Sequence, residues 1–361
     1  MNNRHTYLEI SSLAFTHNIT YFKNKIGNNA LAVVLKGNGY GHGILEIATL
    51  CEQHTAVDLL CVATLSEALT IRKVGIQKPI LVLGYSNYHE YYALNQNIAF
   101  VIDNLPYAQK LDDIGKKHGC HFKVHIKIDT GLSRLGISPQ QTSLFIKQIQ
   151  QLPYLCIEGI LSHFIASDSN KELTREQYDL FTTSISSIDY GLIRYRHMSN
   201  TAAIIQYEYS SLYNMFRVGL GVYGFGNSAL QPVLTWKTYI HSIKIVPAHS
   251  YVSYACTYKT TRATKIAILP IGYSDGYQLR FSNKTSVIIN GYHAPVMGRV
   301  GMNMTMVDIT DYDIRLNDEV IILGNRPGVC LTDLAHVAEI YNVREILTGI
   351  NPALSRIITK E

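Results

Sequence analysis

Short apolar runs alternate with longer amphipathic segments between residue 31 and about residue 220. The apolar runs have strand length, and the eight of them are Leu31 to Leu35, Leu59 to Thr64, Pro79 to Leu83, Ile98 to Ile102, Phe122 to Ile128, Cys156 to Ser162, Tyr195 to Met198, and Phe216 to Gly219. Strands that alternate with helices predict a parallel sheet covered by helices. Eight such units match a (β/α)8 barrel over residues 11–228, and the count alone leaves a doubly wound sheet open.

Helix signals lie between these runs. The segments are ILEIATLCEQ, SEALTIRKVG, PYAQKLDDIGKKHG and SPQQTSLFIKQIQQL. The third ends on Gly119, a residue that often terminates a helix, and the fourth begins with Ser138 and Pro139, which favour a helix start.

The pattern changes after Gly226. YIHSIKIVPA, TKIAILPI, TSVIINGYHAPV and MTMVDIT are strand-like, and Asn290-Gly291 is a hairpin turn signal. We expect a mostly-β domain over residues 229–361, joined by an N-terminal strand within residues 1–10, with one helix at LTDLAHVAEIY.

Composition narrows the class of protein. The chain has 361 residues, 47% hydrophobic and 16% charged, and its formal charge of +5 is spread along the sequence. We therefore expect neither a membrane span nor a nucleic-acid partner. The N-terminus carries no export signal, which predicts a cytoplasmic protein. The six cysteines are far apart and argue against a metal site or a disulfide framework.

Polar residues follow the predicted barrel strands where barrel enzymes carry their chemistry. They are Lys36 after the first strand, Lys127, Asp129 and Arg134 around the fifth, His163 after the sixth, Asn200 and Thr201 after the seventh, and Arg217 and Gly219 in the eighth. Each alone has an ordinary structural explanation, but their joint occurrence predicts one site at the mouth of the barrel.

Asn200 and Thr201 resemble a helix N-cap, and backbone N–H groups at a helix start can bind an anion. Gly219 lets the backbone after the eighth strand approach a ligand closely. The alternative is an ordinary capped helix. A phosphate site facing Lys36 suggests pyridoxal phosphate, whose aldehyde reacts with a lysine amine. Tyr40 could then offer its hydroxyl to the phosphate.

The motif LKGNGYGHG, which contains Lys36, resembles the pyridoxal-phosphate lysine motif of alanine racemases. The similarity continues through HIKIDTGLSRLGI, SHF, HMSNTAA, FRVGLGVYG, VSYACTY, PIGYSDGY and GRVGMNM, in family order. The resemblance implies racemisation of alanine, D-alanine supply for peptidoglycan, and a homodimer with shared active sites.

The resemblance also implies roles for individual residues. Lys36 would act as the base on one face of the substrate, and Tyr254 of the partner subunit on the other. His163 and Arg217 would assist, with Arg217 at the pyridine nitrogen. Arg134 would contact the cofactor's phenolic oxygen and the substrate carboxylate.

Further roles follow from the same motifs. Lys127 would be carbamylated and would position Arg134, the alternative being a neutral or water-facing lysine. The Met302 backbone would help to hold the substrate carboxylate across the dimer. Tyr273 would line the substrate entrance near Arg299, the alternative being a purely structural role. The cofactor-binding set implied by the family comprises Lys36, Tyr40, Arg134, His163, Asn200, Thr201, Arg217, Gly219 and Leu220.

Some positions depart from the commonest family pattern. Gly37 and Gly39 stand where alanine is usual, Thr201 replaces a serine, Gly301 and Asn303 flank Met302 in place of a larger residue and an aspartate, and Pro352 replaces a tyrosine. A serine racemase on the same scaffold and a non-catalytic pyridoxal-phosphate protein remain open. A related decarboxylase is disfavoured because its cysteine-centred motif is not found.

Overall fold

Buried apolar strands organise the first of two compact units. The computed structural model describes residues 6–84, 90–189, 191, 193–208 and 212–360. The barrel unit consists of the described residues of Phe15–Gly39 and Ile47–Leu230. The β unit consists of the described residues of Met1–Ala14, Tyr40–Glu46 and Gln231–Glu361.

The described part of the barrel unit contains one sheet of eight parallel strands in the order β8-β7-β6-β5-β4-β3-β2-β9. Its strands are β2 Ala30–Val34, β3 Leu59–Val62, β4 Ile80–Val82, β5 Ile98–Ile102, β6 Phe122–Lys127, β7 Leu155–Leu161, β8 Tyr195–His197 and β9 Met215–Val218. The two end strands meet where the Asn214 N–H donates to the Arg196 carbonyl at 3.2 Å. The sheet is therefore a nearly closed barrel, which confirms the prediction and excludes the doubly wound alternative.

Helices connect the barrel strands. They are α1 Ser12–Ile26, α3 Ile44–Gln53, α4 Leu65–Lys73, α5 Leu105–His118, α6 Thr142–Ile149, α7 Lys171–Ile185 and α8 Thr201–Gln206. Helix α5 ends at Gly119 with a φ of 65°, as its sequence predicts. The expected helix start at Ser138 and Pro139 is confirmed, because helical structure begins at Pro139 and continues directly into α6. The Ser138 side chain makes no capping hydrogen bond, and a 3₁₀ turn at Pro139–Gln141 precedes the α-helix.

The segment α2, Lys36–Tyr40, is a left-handed turn rather than a right-handed helix. Gly37, Asn38 and Gly39 have φ values of 66°, 55° and 60°. Residues with a Cβ adopt this conformation at an energetic cost, whereas glycine does not. Glycine at positions 37 and 39 therefore suits the turn that follows Lys36.

Glu67 connects this turn to the start of α4. One carboxylate oxygen accepts the Gly37 N–H at 2.9 Å, and the other accepts the N–H groups of Ala63 at 2.7 Å and Thr64 at 3.2 Å. The Thr64 hydroxyl accepts the Glu67 N–H in return, which completes a capping box. The loop after β2 is thus joined to the loop after β3.

The described part of the β unit contains a six-stranded sheet, β14-β13-β16-β10-β1-β17, and a three-stranded sheet, β11-β12-β15. The strands are β1 Thr6–Ser11, β10 Leu234–Tyr239, β11 Ser242–Val246, β12 Thr264–Leu269, β13 Ser286–Ile289, β14 Tyr292–Pro295, β15 Thr305–Asp308, β16 Glu319–Leu323 and β17 Ser355–Thr359. Strand β1 is antiparallel to β10 and parallel to β17. The helices of the unit are α9 Leu331–Val337 and α10 Arg344–Thr348.

Two local predictions in the β unit have different outcomes. Asn290 and Gly291 have φ values of 49° and 86° at the turn between β13 and β14, so the hairpin is confirmed. The helix expected to reach Tyr341 is too long. It ends at Val337, and Glu339 has a φ of 56°, which a right-handed helix does not allow. None of the described helices has both the length and the apolar character of a membrane span.

The contacts of Glu67 predict an effect on stability. We expect Glu67→Ala to lower the free energy of unfolding by about 1–3 kcal/mol, because three backbone donors lose their acceptor. Thr64→Ala removes only the capping hydroxyl and should lower it by about 1 kcal/mol. Urea unfolding measures both values. An effect of Glu67→Ala no larger than that of Thr64→Ala would show that the connection to Gly37 contributes nothing.

Candidate active site

The site residues predicted in the barrel unit lie on neighbouring strands. Lys127 ends β6, His163 follows β7, Asn200 follows β8, Arg217 belongs to β9, and Lys36 follows β2. The sheet order places β6, β7 and β8 side by side, and β9 beside β2. Strands β8 and β9 meet at the closure, so the five carboxyl ends form one continuous arc.

Arg217 is the buried charge of this arc, with 4% of its surface exposed. Its Nη2 donates to the Ser162 carbonyl at 2.8 Å, the Met198 carbonyl at 3.2 Å and His163 Nδ1 at 3.2 Å. Its Nη1 donates to His197 Nδ1. Burial lowers the pKa of Arg217 to about 10, which leaves the guanidinium charged at neutral pH. These four acceptors are uncharged groups.

A buried chain of two histidines extends from Arg217. Because His197 Nδ1 accepts from Arg217, its proton lies on Nε2, which donates to His125 Nδ1 at 2.9 Å. His125 Nε2 in turn faces Glu158 Oε2 at 3.5 Å. Burial lowers the pKa of His125 and holds that of His197 well below its ordinary value, so both rings are neutral. Burial raises the pKa of Glu158, but the hydrogen bond from His125 and the interaction with Lys123 outweigh it and leave a value of about 2.

The sequence contains only a weak signal for the pair of histidines. His125 lies two residues before Lys127 on β6, and His197 lies within β8, but strand position alone does not show that the two rings meet. Gly159 on β7 makes room for them, since a Cβ there would lie 2.3 Å from His125 Nδ1. The sequence pattern did not reveal the contact between the two histidines, because it joins residues 72 positions apart.

Lys127 is buried, with 6% of its surface exposed. Burial, followed by the charges of Arg217 and Arg134, lowers the pKa of its amine to about 8 against the opposing effect of Asp103 and Asp129. The water-facing alternative for Lys127 is therefore wrong. An amine with this pKa is neutral in roughly one molecule in ten at pH 7.

His163 receives the combined field of the cations. Burial and the charges of Arg217, Lys127, Arg134 and Lys36 hold the pKa of His163 well below its ordinary value. Since its Nδ1 accepts from Arg217, its proton lies on Nε2. His163 is therefore a neutral hydrogen-bond donor at the mouth of the barrel.

The charges of Lys36 and Arg217 both act on the Cys61 thiol of β3. Burial raises the pKa of the Cys61 thiol to about 12, while the charges of Arg217 and Lys36 act to lower it. Cations from two strand ends thus act on the same buried group. Such a surface favours an anionic ligand.

The loops after β8 and β9 form a connected cradle. Asn200 caps α8 by accepting the Ala203 N–H at 3.0 Å, which confirms the predicted N-cap, and the Ser167 hydroxyl donates to the same Asn200 oxygen at 2.8 Å. The Thr201 hydroxyl accepts the Gly221 N–H at 3.1 Å. Thr201 and Ala202 begin the helix, so their N–H groups have no carbonyl partner within α8.

Gly221 is required by packing. A Cβ at Gly221 would lie 2.3 Å from the Phe22 ring and 2.8 Å from the Thr201 methyl group. Gly219 and Leu220 immediately precede it, and the 3₁₀ helix Leu220–Tyr223 begins there. The predicted phosphate-binding residues after β8 and β9 thereby lie close together. Tyr40 belongs to the β unit, and its carbonyl accepts a hydrogen bond from His42 Nδ1 at 3.0 Å.

The remaining predicted residues lie in the β unit. Tyr254 is 73% exposed and begins a 3₁₀ turn, and the hydroxyl of the preceding Ser253 donates to the Arg299 carbonyl. The Tyr273 N–H donates to the Gly301 carbonyl at 3.0 Å, which places Tyr273 beside the segment that contains Met302. Met302 is 56% exposed.

A close contact within its own segment explains why residue 301 is a glycine. A Cβ at position 301 would lie 2.8 Å from the Met304 carbonyl oxygen, closer than real Cβ contacts allow. The Asn303 amide donates to the Ser274 hydroxyl at 2.8 Å. Glycine at position 301 is thus explained by a close approach within the segment.

Comparison with known families identifies both parts of the chain. The family model for the alanine racemase N-terminal domain matches residues 10–226, and the family model for the alanine racemase C-terminal domain matches residues 233–358. The alanine racemase of Halothermothrix orenii is 36% identical over 374 residues, covering 98% of this chain and 96% of that protein. That of Clostridium perfringens strain SM101 is 37% identical over 374 residues, covering 99% and 96%.

Solved structures agree with these matches. An alanine racemase of Clostridium difficile 630 has a TM-score of 0.93 and 32% identity, covering 100% of this chain and 98% of that chain. The alanine racemase of Bacillus anthracis with bound L-Ala-P has a TM-score of 0.90 and 27% identity, covering 100% and 97%. Because both family models match and relatives 36% and 37% identical cover almost its whole length, the chain belongs to the alanine racemase family.

Proposed function

We propose that this protein interconverts L-alanine and D-alanine with pyridoxal 5'-phosphate and a base on each face of the substrate, and so supplies D-alanine for peptidoglycan. Family membership supports the racemisation of alanine itself. The observation that carries the finer proposal is Arg217, a buried cation held by uncharged acceptors on the same arc of strand ends as Lys36.

The residues of the barrel unit fit the cofactor. Lys36 would offer an amine to its aldehyde, the loops that contain Thr201 and Gly219 would offer hydroxyl and N–H groups to its phosphate, and Arg217 would serve its ring nitrogen. When bound, the cofactor would supply the electron-withdrawing system that stabilises a carbanion at the α-carbon. A cationic Arg217 would disfavour protonation of the ring nitrogen and so restrain side reactions.

Two bases divide the proton transfer. Lys36 would move the α-proton on one face, and Tyr254 of the partner subunit would move it on the other. A tyrosine with an ordinary pKa of about 10 is a weak base at neutral pH, so nearby cations and hydrogen-bond donors have to stabilise its anion. The neutral His163, with its proton on Nε2, and the charge of Arg217 behind it suit that task.

Arg134 and Lys127 would hold the substrate carboxylate and the cofactor's phenolic oxygen in place. A cationic Lys127 would repel Arg134, because each charge disfavours the other. Carbamylation converts Lys127 into an anion that attracts Arg134 instead. Met302, 56% exposed in the β unit, would add its backbone to carboxylate binding across the dimer.

The reaction is tested with L-alanine, D-alanine and L-serine in heavy water, following α-deuteration and racemisation. We expect fast racemisation of alanine and little of serine. In Tyr254→Phe, racemisation should fall by roughly a hundredfold or more, while the enantiomer whose α-hydrogen faces Lys36 still exchanges. Lys36→Ala, as the control, should lose the visible absorption of the lysine-linked cofactor.

Each other outcome removes a specific part of the proposal. Undiminished racemisation by Tyr254→Phe would exclude Tyr254 as a base. Serine turnover comparable to that of alanine would indicate the broader racemase. A bound cofactor without α-exchange on any substrate would indicate a binding protein.

Shared active sites predict complementation between two inactive variants. When Lys36→Ala and Tyr254→Phe chains are unfolded together and refolded, a mixed dimer contains one site with both native bases. Random mixing should therefore restore about a quarter of the wild-type activity per chain. If both bases came from the same chain, every site would lack one of them, and the mixture would stay inactive.

Carbamylation of Lys127 is tested by carbon-13 NMR with labelled bicarbonate at a constant concentration of dissolved carbon dioxide. The amine nitrogen attacks carbon dioxide and releases a proton, so only neutral Lys127 reacts. Because the pKa of Lys127 is lowered to about 8, the carbamate signal should increase as the pH rises through that value.

Lys127→Ala should abolish the carbamate signal. Lys123→Ala is the matched control, since Lys123 lies four residues earlier on β6, has a side chain that is 43% exposed and forms an ion pair with Glu158 at 3.1 Å. A signal that survives in Lys127→Ala would assign the carbamate to another amine.

A further inference from the structure

The segment that contains Tyr254 has an unusual backbone. Ser253 has a φ of 66° and a ψ of −170°, a region occupied almost only by glycine. Ala255 and Cys256 have φ values of 60° and 50°, in the left-handed region. Three non-glycine residues around Tyr254 are therefore held in conformations that the surrounding structure has to enforce.

The start of this segment is fixed by close packing. The Val252 N–H donates to the Tyr258 carbonyl at 3.1 Å, and the Val252 side chain is buried with Ile266 and Met297. Gly298 lies against the same backbone, since a Cβ there would lie 2.3 Å from the Val252 oxygen and 2.8 Å from the Ser253 Cβ. Packing and a backbone hydrogen bond thus fix the residue that leads into the strained turn.

Asn283 connects both sides of the turn. Its Oδ1 accepts the Gly298 N–H at 2.6 Å, and its Nδ2 donates to the Thr257 hydroxyl at 3.1 Å. Gly298 packs under Ser253, and Thr257 directly follows Cys256. A single amide therefore ties the support of the turn to its exit.

We propose that Asn283 is a positioning residue for Tyr254: through Gly298 and Thr257 it holds the strained turn that aims the Tyr254 hydroxyl. The inference rests on the proposed function of Tyr254 as a base. Because the Tyr254 side chain is 73% exposed within its own chain, the direction of its hydroxyl depends chiefly on the backbone of residues 253–256.

The test uses the holoenzyme of Asn283→Ala and measures α-hydrogen exchange of L-alanine and D-alanine separately in heavy water. A misplaced base slows only the proton transfer that it performs. We expect exchange to fall by roughly tenfold or more for the enantiomer that loses exchange in Tyr254→Phe. Exchange of the other enantiomer and the visible absorption of the bound cofactor should stay near wild type.

Asn290→Ala is the matched control. Asn290 is also an exposed asparagine of the β unit with a left-handed backbone, and its amide donates to Asp318 at 2.7 Å. This variant should leave both exchange rates unchanged. Asn283→Asp keeps the acceptor for Gly298, and Thr257→Val removes only the hydroxyl, so both should show a smaller loss with the same preference for one enantiomer.

A second readout does not depend on turnover. Amide hydrogen exchange of residues 250–258 in the holoenzyme should be faster in Asn283→Ala than in the wild type or Asn290→Ala, because the turn opens more often. If Asn283→Ala fails to fold, Thr257→Val provides the same two measurements.

The outcomes separate the inference from the function on which it rests. Equal losses for both enantiomers, or unchanged rates of substrate and amide exchange, would overturn the role of Asn283 while Tyr254→Phe still shows its preference. If Tyr254→Phe itself shows no preference for one enantiomer, the base assignment fails, and the inference fails with it.

Discussion

The buried charge of Arg217 is the constraint on which the site depends. Its guanidinium is almost fully removed from water and contacts two backbone carbonyls and two histidines. Uncharged acceptors satisfy the N–H groups without neutralising the charge. The charge therefore acts on every titratable group around it, and it lies where the end strands β8 and β9 close the barrel.

The protonation states of the arc follow from this charge. His163 and His197 stay neutral because burial and Arg217 both disfavour a second cation, and the pKa of Lys127 falls for the same two reasons. A neutral His163 can donate a hydrogen bond without competing for a proton, and a neutral amine at Lys127 is the form that reacts with carbon dioxide. One buried cation thus favours the neutral forms of both side chains.

The sequence was sufficient to predict most secondary-structure elements and the polar residues at the strand ends. It was insufficient to predict contacts between residues that are distant in the chain. The eight barrel strands were located because each is a compact apolar run, and the N-cap at Asn200 because capping uses few residue types. Strands β10, β16 and β17 were missed, since Leu234–Tyr239, Glu319–Leu323 and Ser355–Thr359 lie outside the segments predicted as strands. The links from His125 to His197 and from Asn283 to Thr257 depend on tertiary structure, which local patterns do not encode.

Left-handed backbone follows Lys36 and lies on both sides of Tyr254, the two proposed bases. A side chain from another segment holds each of these two turns. After Lys36, glycine occupies two of the four left-handed positions, Gly37 and Gly39, while Asn38 and Tyr40 have φ values of 55° and 51°, and Glu67 accepts one of the N–H groups of the turn. Around Tyr254 the corresponding positions are Ser253, Ala255 and Cys256, which have side chains and therefore need stronger support. Its two glycines indicate the first turn from the sequence, whereas the second turn has no glycine at these positions and is explained by the hydrogen bonds of Asn283 and the close packing of Gly298.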